Sequence, residues 1–245
     1  GEIQKNIETK ISEVLIKTPS LKIDSIASGG GSIVNYLDNR LTVGPQSAGA
    51  FPGPASYRNN GPLTLTDCNL ILGKIMVEEF PKLFGKKKNL PISKKIAEGK
   101  FKIILKKINK DFVDFKNIFQ VADSFINIAV ENMSNAIKKI TIQKGFDIRN
   151  YTLLVFGSAS GQYCCKIAEK IGVKKIIFSP FSSMLSAYGV GVSKIGNTYQ
   201  LSIEKTLNEK QIKNSIASIS NKFIKKNKLS KCNYILRIKY FKCNT

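Results

Sequence analysis

Gly29-Gly30-Gly31-Ser32, then VGPQSAGAFPGPASY from Val43 to Tyr57, then TLTDCNLILG from Thr64 to Gly73, form the stretch on which the reading of this 245-residue chain turns. Glycine opens positive φ and close backbone approach, and proline freezes the loop between such turns. The stretch therefore reads as a rigid surface facing a ligand. Upstream, Ser12 to Ile16 and Leu21 to Ile26 read as strands leading into the glycine turn. Ile33 to Leu37 and Leu41 to Val43 read as a hairpin around Asp38-Asn39. A helix is predicted from Thr66 to about Lys74, with Thr66 or Asp67 as its N-cap.

Lys86 to Pro91 is a polar break, after which Ile92 to Phe112 and Asn117 to Gln143 carry apolar residues at helical spacing. The stripe Ile118, Val121, Ala122, Phe125, Ile128, Ala129, Met133, Ala136 and Ile137 predicts an amphipathic layer facing the core. Beyond Asn150 the period changes. An apolar run from Tyr151 to Phe156 ends in Gly157, small residues follow to Gly161, a helix is predicted from Gln162 to Ile171, and a second strand from Lys175 to Phe178. A small-residue loop feeding a helix N-terminus suits phosphate or nucleotide, because unpaired N–H groups and the helix dipole face the anion. The same residues could equally serve close helix-strand packing, and spacing leaves both readings open.

Composition removes several classes. With 42% hydrophobic residues the chain can bury a substantial core, and no apolar run is long enough to cross a bilayer. Gly1 to Lys10 lacks the apolar region of a signal peptide, so a cytoplasmic location is expected. Five cysteines without a C-x-x-C pair indicate neither a disulfide scaffold nor a zinc ribbon. There is no histidine, which excludes a Ser-His or Cys-His couple from this chain alone and removes the commonest zinc ligand. Ala159 stands where a nucleophile elbow needs serine, Val34 takes the last glycine position of G-x-G-x-x-G, and no G-x-x-x-x-G-K-[ST] occurs. The net charge of +22 comes from scattered lysines, with only four arginines among 39 basic residues. That pattern reads as a solvated lysine surface, and a nucleic-acid partner is not expected.

GGGS at Gly29, VGPQSAGAFPGPASY, TLTDCNLILGK, the segment from Glu79 to Ser93, VENMSNAIKKITIQKGFD from Val130 to Asp147, LLVFGSASGQYCCKIAEKIGVKKI from Leu153, and FSSMLSAYGVG from Phe181 occur in one unbroken order over roughly residues 8 to 202. In that order and spacing the chain resembles the hydantoinase A/oxoprolinase family, nearest its ATP-dependent 5-oxoprolinases. The resemblance implies an α/β fold: one lobe of an actin-like (ribonuclease H-like) ATPase, with glycine-rich β-hairpin loops and a helical layer, incomplete at both ends. It implies a family core over residues 1–202 and the start of a following segment over 203–245. It implies ATP-driven opening of a cyclic amide, 5-oxo-L-proline to L-glutamate, with ATP and Mg²⁺ as cofactors.

By position, the resemblance assigns Gly29, Gly30, Gly31 and Ser32 to phosphate contact, and Gly157, Ser158, Ala159, Ser160, Gly161 and Gln162 to the adenosine side. Ser47, Gly49 and Asn69 become candidates for the substrate or its loop. Asp67 and Asn69 sit at the entry of the predicted helix, as metal-water or substrate contacts or simply as helix caps. Where the family has a carboxylate seven residues before the triple glycine this chain has Lys22, and Asp24, two residues on and on the same strand face, is the substitute. Asp24 and Asp67 are thus the catalytic candidates. Tyr163 stands where the family has histidine. The first phosphate loop of the family has no counterpart after Gly1, so the chain is expected to be an internal piece completed by a complementary chain and a hydantoinase B-like subunit, or else a non-catalytic remnant keeping the fold. No membrane partner is expected.

Overall fold

The computed structural model describes residues 5–6, 8–11, 13–16, 20–23, 25–26, 28–111, 115–193 and 208–227. They divide into one unit of residues 23–193 and another drawn from 1–22 and 194–245. In the latter, β1 (Lys5–Asn6) pairs antiparallel with β4 (Ser20–Leu21), and β2 (Thr9–Ile11) with β3 (Val14–Ile16). The hydroxyls of Thr9 and Ser20 lie 2.7 Å apart. A helix, Glu209–Asn227, belongs to the same unit. The predicted strand from Leu21 to Ile26 stops at Leu21: Lys22, Ile23, Ser25 and Ile26 are not in a strand. Apolar residues without a partner strand do not make a ladder. The expected domain boundary at residue 202 lies outside the described residues.

In the larger unit, β5 (Ser32–Leu37) and β6 (Arg40–Ser47) form the predicted hairpin, with Val34 opposite Val43 and Tyr36 opposite Leu41. Asp38 and Asn39 take φ of 49° and 59°, the left-handed pair that a two-residue hairpin turn requires. The far strand runs four residues beyond the expected Val43. Ile33 bridges Thr64, and Val34 N–H donates to the Leu63 carbonyl at 2.9 Å. This pins Thr64 in an extended conformation, so α1 (Leu65–Ile71) is capped by Thr64, two residues before the predicted start. Asp67 then occupies the third helical position and completes a capping box with Thr64.

The helical layer is α2 (Lys94–Asp111) and α3 (Ile118–Ile142). Asn117 caps α3 by accepting from Gln120 N–H at 3.1 Å. The predicted stripe is the core face: Val121, Ala122, Phe125 and Ala129 are fully buried, packed with Phe101 of α2 and Leu65, Cys68 and Ile71 of α1. Burying phenylalanines such as Phe101 and Phe125 contributes about 1.5–3 kcal/mol each. A smaller cluster of Leu70, Ile75 and Ile92 is walled by Tyr57 and Phe84, whose ring centroids are 4.2 Å apart.

The β-loop-α-β unit is present. β7 (Thr152–Val155) and β8 (Lys175–Phe178) pair in parallel, connected through α4 (Cys164–Ile171). Ile167, Ala168 and Ile171 turn α4 onto the core, and Gly172 ends it at φ 77°. The architecture is mixed α/β, with helices around small sheets. Among the described residues no helix is long and apolar enough to cross a membrane.

Candidate functional site

Three segments separated by as many as 130 residues meet at one place. The first is the turn Gly29–Ser32, closed by Ser32 N–H on the Gly29 carbonyl at 2.9 Å. The Gly30 carbonyl accepts from Thr66 N–H at 2.9 Å and from Thr66 Oγ1 at 3.0 Å, and the Gly31 carbonyl accepts from Ala48 N–H at 2.8 Å. With its carbonyls tied back to α1 and the hairpin, the turn leaves the N–H groups of Gly29, Gly30 and Gly31 without a hydrogen bond among the described residues. A Cβ on Gly30 would stand 2.8 Å from Thr66 Oγ1, and one on Gly31 2.8 Å from Ser47 Oγ, so a side chain at either position would displace a neighbouring hydroxyl.

The second segment is the loop after β7. Gly157 has φ 90°; its N–H donates to the Ser182 carbonyl at 2.7 Å and its carbonyl accepts from Ser160 Oγ at 2.8 Å. Ser158 and Ala159 N–H groups make no hydrogen bond among the described residues. A Cβ on Gly30 would lie 3.9 Å from the Ala159 methyl, in ordinary van der Waals contact. The two glycine-bearing loops are therefore immediate neighbours.

The third segment, α1, holds them in register. Its start grips Gly30 through Thr66, and one turn on, Asn69 Nδ2 donates to Gln162 Oε1 at 2.6 Å and to Tyr163 Oη at 2.8 Å. Asn69 is fully buried, and its Oδ1 has no hydrogen-bond partner. Tyr163 is buried beside it, and desolvation raises its phenol pKa against the opposing bond from Asn69. Just beyond α1, Lys74 Nζ donates to the Gln162 carbonyl at 3.2 Å. Burial, then the neighbouring Lys166, hold the Lys74 pKa below the usual lysine range. Lys166 is neutralised by Asp123 at 2.7 Å, whereas no carboxylate lies within ion-pair distance of Lys74 among the described residues.

The catalytic candidates fare differently. Asp24 lies outside the described residues. Asp67 is fully buried, and its carboxylate accepts from Ala55 N–H (3.0 Å), Ser56 N–H (2.8 Å), Thr64 N–H (2.9 Å) and Thr64 Oγ1 (3.0 Å). Three of these donors meet Oδ2 and one meets Oδ1, and together they fasten the GPASY turn to the start of the buried α1, which is a capping role. Burial raises its pKa, and the bonds from Ser56 and Thr64 work against that rise. Asn69, the other candidate for substrate contact, is bound to Gln162 and Tyr163 of the second loop. Ser47 and Gly49 are exposed at the hairpin end, Ser47 Oγ accepting from Gly49 N–H at 3.2 Å, and Gly49 has φ 60°.

What remains unpaired are N–H groups on both neighbouring loops, Gly29 to Gly31 and Ser158 to Ala159, the second of them leading into α4, whose first turn has no acidic residue. Such an arrangement binds anions. Among the described residues no three His, Cys, Asp or Glu side chains come together as a metal site. Sequence reasoning missed Thr66, Lys74 and the pairing of Asn69 with Tyr163. Thr66 and Lys74 lie inside the TLTDCNLILGK run, but their partners lie 36 and 88 residues away.

The model of the hydantoinase/oxoprolinase family matches residues 1–199. The 5-oxoprolinase of Dictyostelium discoideum is 40% identical over 200 residues, covering 80% of this chain and 16% of that protein. The chain thus spans about one-sixth of that relative. The crystal structure of an ATP-dependent caprolactamase from Pseudomonas jessenii superposes with a TM-score of 0.68 at 26% identity, covering 90% of this chain and 32% of the other. A nucleotide-free acetone carboxylase has the same fold, with a TM-score of 0.72 at 17% identity over 92% of this chain and 32% of that one.

Proposed function

The chain belongs to the hydantoinase/oxoprolinase family, and from that premise we propose that it supplies two nucleotide-binding loops of an ATP-dependent cyclic amide hydrolase built on an actin-like lobe. Its substrate in this reading is 5-oxo-L-proline, opened to L-glutamate. The observation that carries the reading is the meeting of Gly30 with Ala159, stapled by Asn69 to Gln162 and Tyr163.

An unstrained lactam is a poor electrophile, and bound ATP would supply the phosphoryl group that makes its oxygen a leaving group. This chain's task is then to hold phosphate and to keep developing charge stabilised. The N–H groups of Gly29, Gly30 and Gly31 are preorganised donors, because the carbonyls of Gly30 and Gly31 are committed to Thr66 and Ala48, and those of Ser158 and Ala159 because Gly157 is held by Ser182 and Ser160. Gln162, held by Asn69 on its side chain and by Lys74 on its carbonyl, fixes the loop that would face the adenosine. Asp67 is buried and engaged by four donors, so in this reading Mg²⁺ would be held through phosphate oxygens and water. The first phosphate loop and the hydantoinase B-like region come, in this reading, from polypeptide outside this sequence.

The test is binding of a non-hydrolysable ATP analogue by the purified chain, followed by ATP-dependent glutamate release from 5-oxo-L-proline with a companion polypeptide carrying the first phosphate loop added. Nucleotide binding, and glutamate release that depends on the companion, are expected. A chain that neither binds nucleotide nor supports glutamate release would refute the reading.

A further inference from the structure

Cys164 and Cys165 open α4, and their sulfurs lie only 3.9 Å apart. Successive residues on a helix do not face each other, so this approach reflects side chains turned together. Cys164 is buried with its thiol donating to the Gly161 carbonyl at 3.3 Å, while Cys165 is exposed to solvent. The pair thus has one thiol that an incoming reagent can reach and a second one poised behind it. Neither lies in the two loops with unpaired N–H groups.

Geometry decides what the pair can take. A disulfide needs Cα atoms about 4.4–6.8 Å apart, whereas neighbouring residues across a trans peptide are fixed at about 3.8 Å. Closing the sulfurs to bonding distance would also require about 2 Å of movement inside a helical turn. A direct S–S bond is therefore strained. A bridge through one intervening atom needs far less closure, because each sulfur bonds to the bridge and not to the other sulfur. The bridging atom must be thiophilic and content with two sulfur ligands, since no third His, Cys, Asp or Glu joins them among the described residues.

We propose that Cys164 and Cys165 form a vicinal dithiol site for trivalent arsenic compounds, with a monosubstituted arsenic as the one-atom bridge. The exposed Cys165 sulfur bonds arsenic first, and Cys164 closes the ring. With an arsenoxide R–As=O, two S–H bonds and the bonds of arsenic to oxygen are broken, two S–As bonds form, and the two protons leave with the oxygen as one water. Arsenic stays trivalent and sulfur is not oxidised, so no oxidant or reductant is needed.

Phenylarsine oxide is the probe, and intact mass of the full chain is the readout. One adduct per chain is expected, surviving excess 2-mercaptoethanol and removed by 2,3-dimercaptopropanol, with the label on the tryptic peptide 150–166. Cys165→Ser, at an exposed position, should leave the fold intact by circular dichroism and reduce monothiol-resistant adduct at least tenfold; Cys164→Ser should do the same. An adduct that the monothiol strips from the unaltered chain overturns the proposal. So does a resistant adduct that persists in both serine variants or maps to Cys68, Cys232 or Cys243.

Discussion

Gly30→Ala tests the seam between the loops at its tightest point. The added methyl would sit 2.8 Å from Thr66 Oγ1 and 3.9 Å from the Ala159 methyl. The second contact is ordinary; the first is too short to persist. Gly30 is not in the left-handed region, so backbone strain does not enter. Thr66 must turn its hydroxyl away, giving up the 3.0 Å bond to the Gly30 carbonyl while its N–H still holds that carbonyl at 2.9 Å. The lost bond costs about 0.5–1.5 kcal/mol, crowding adds about 1–3 kcal/mol, and the stiffer unfolded chain returns about 0.4–1 kcal/mol. A net loss of about 0.5–4 kcal/mol is expected. Thr66→Ala removes the obstructing oxygen. Alone it should cost about 1 kcal/mol, but in the Gly30→Ala background it should cost nothing or stabilise, giving a coupling of about 1 kcal/mol or more in the double-mutant cycle. Urea titration by far-ultraviolet circular dichroism is the assay, since the chain has no tryptophan. Strict additivity, or a Gly30→Ala chain as stable as the parent, would refute the reasoning.

Asn69→Leu should strip both bonds from Gln162 and Tyr163 and cost about 1–3 kcal/mol, with faster amide exchange over 157–163 and unchanged exchange in α2; equal effects on both would contradict the stapling role. Asp67→Asn places an amide N–H₂ among four donors and should cost about 3 kcal/mol or more, seen as a lower urea midpoint, whereas a catalytic Asp67 would leave stability nearly untouched. Gly61→Ala puts a Cβ 1.8 Å from the Gly53 carbonyl oxygen, so the chain should fail to fold or lose more than about 3 kcal/mol; a stable soluble variant would show that the GPASY turn is not packed as described. Lys166 holds the Asp123 carboxyl below its ordinary 3.8. A depressed carboxyl contributes stability above its unfolded pKa and loses it as pH falls through the folded value. Both side chains are partly exposed, so Lys166→Met should cost under about 1 kcal/mol near neutrality, and the difference from the parent should shrink as pH falls through 3.8 and vanish only below the depressed Asp123 value.

Local chemistry made much of this fold legible. The Asp38-Asn39 turn, the stripe of α3 and the order strand, loop, helix, strand after Asn150 all follow from residues within a few positions of one another. The N-cap did not, because Thr64 is fixed by a bridge to Ile33 across the fold and no local signal carries that. Leu21 to Ile26 has strand composition, but a strand also needs a partner. Asp67 and Asn69 were legible as polar residues at a helix entry, yet their roles depended on which neighbours arrived: backbone donors from Ala55, Ser56 and Thr64 for one, Gln162 and Tyr163 for the other. Lys74 was one lysine among many until its carbonyl partner, 88 residues away, gave it a place.

The central claim is that the turn at Gly29–Ser32 and the loop at Gly157–Gln162 hold one ATP molecule together. Hydrogen exchange of the full chain, with and without a non-hydrolysable ATP analogue, measures this directly at the N–H groups concerned. Slowed exchange in both segments at the same ligand concentration is the predicted result; slowing confined to one of them, or absent from both, would contradict it.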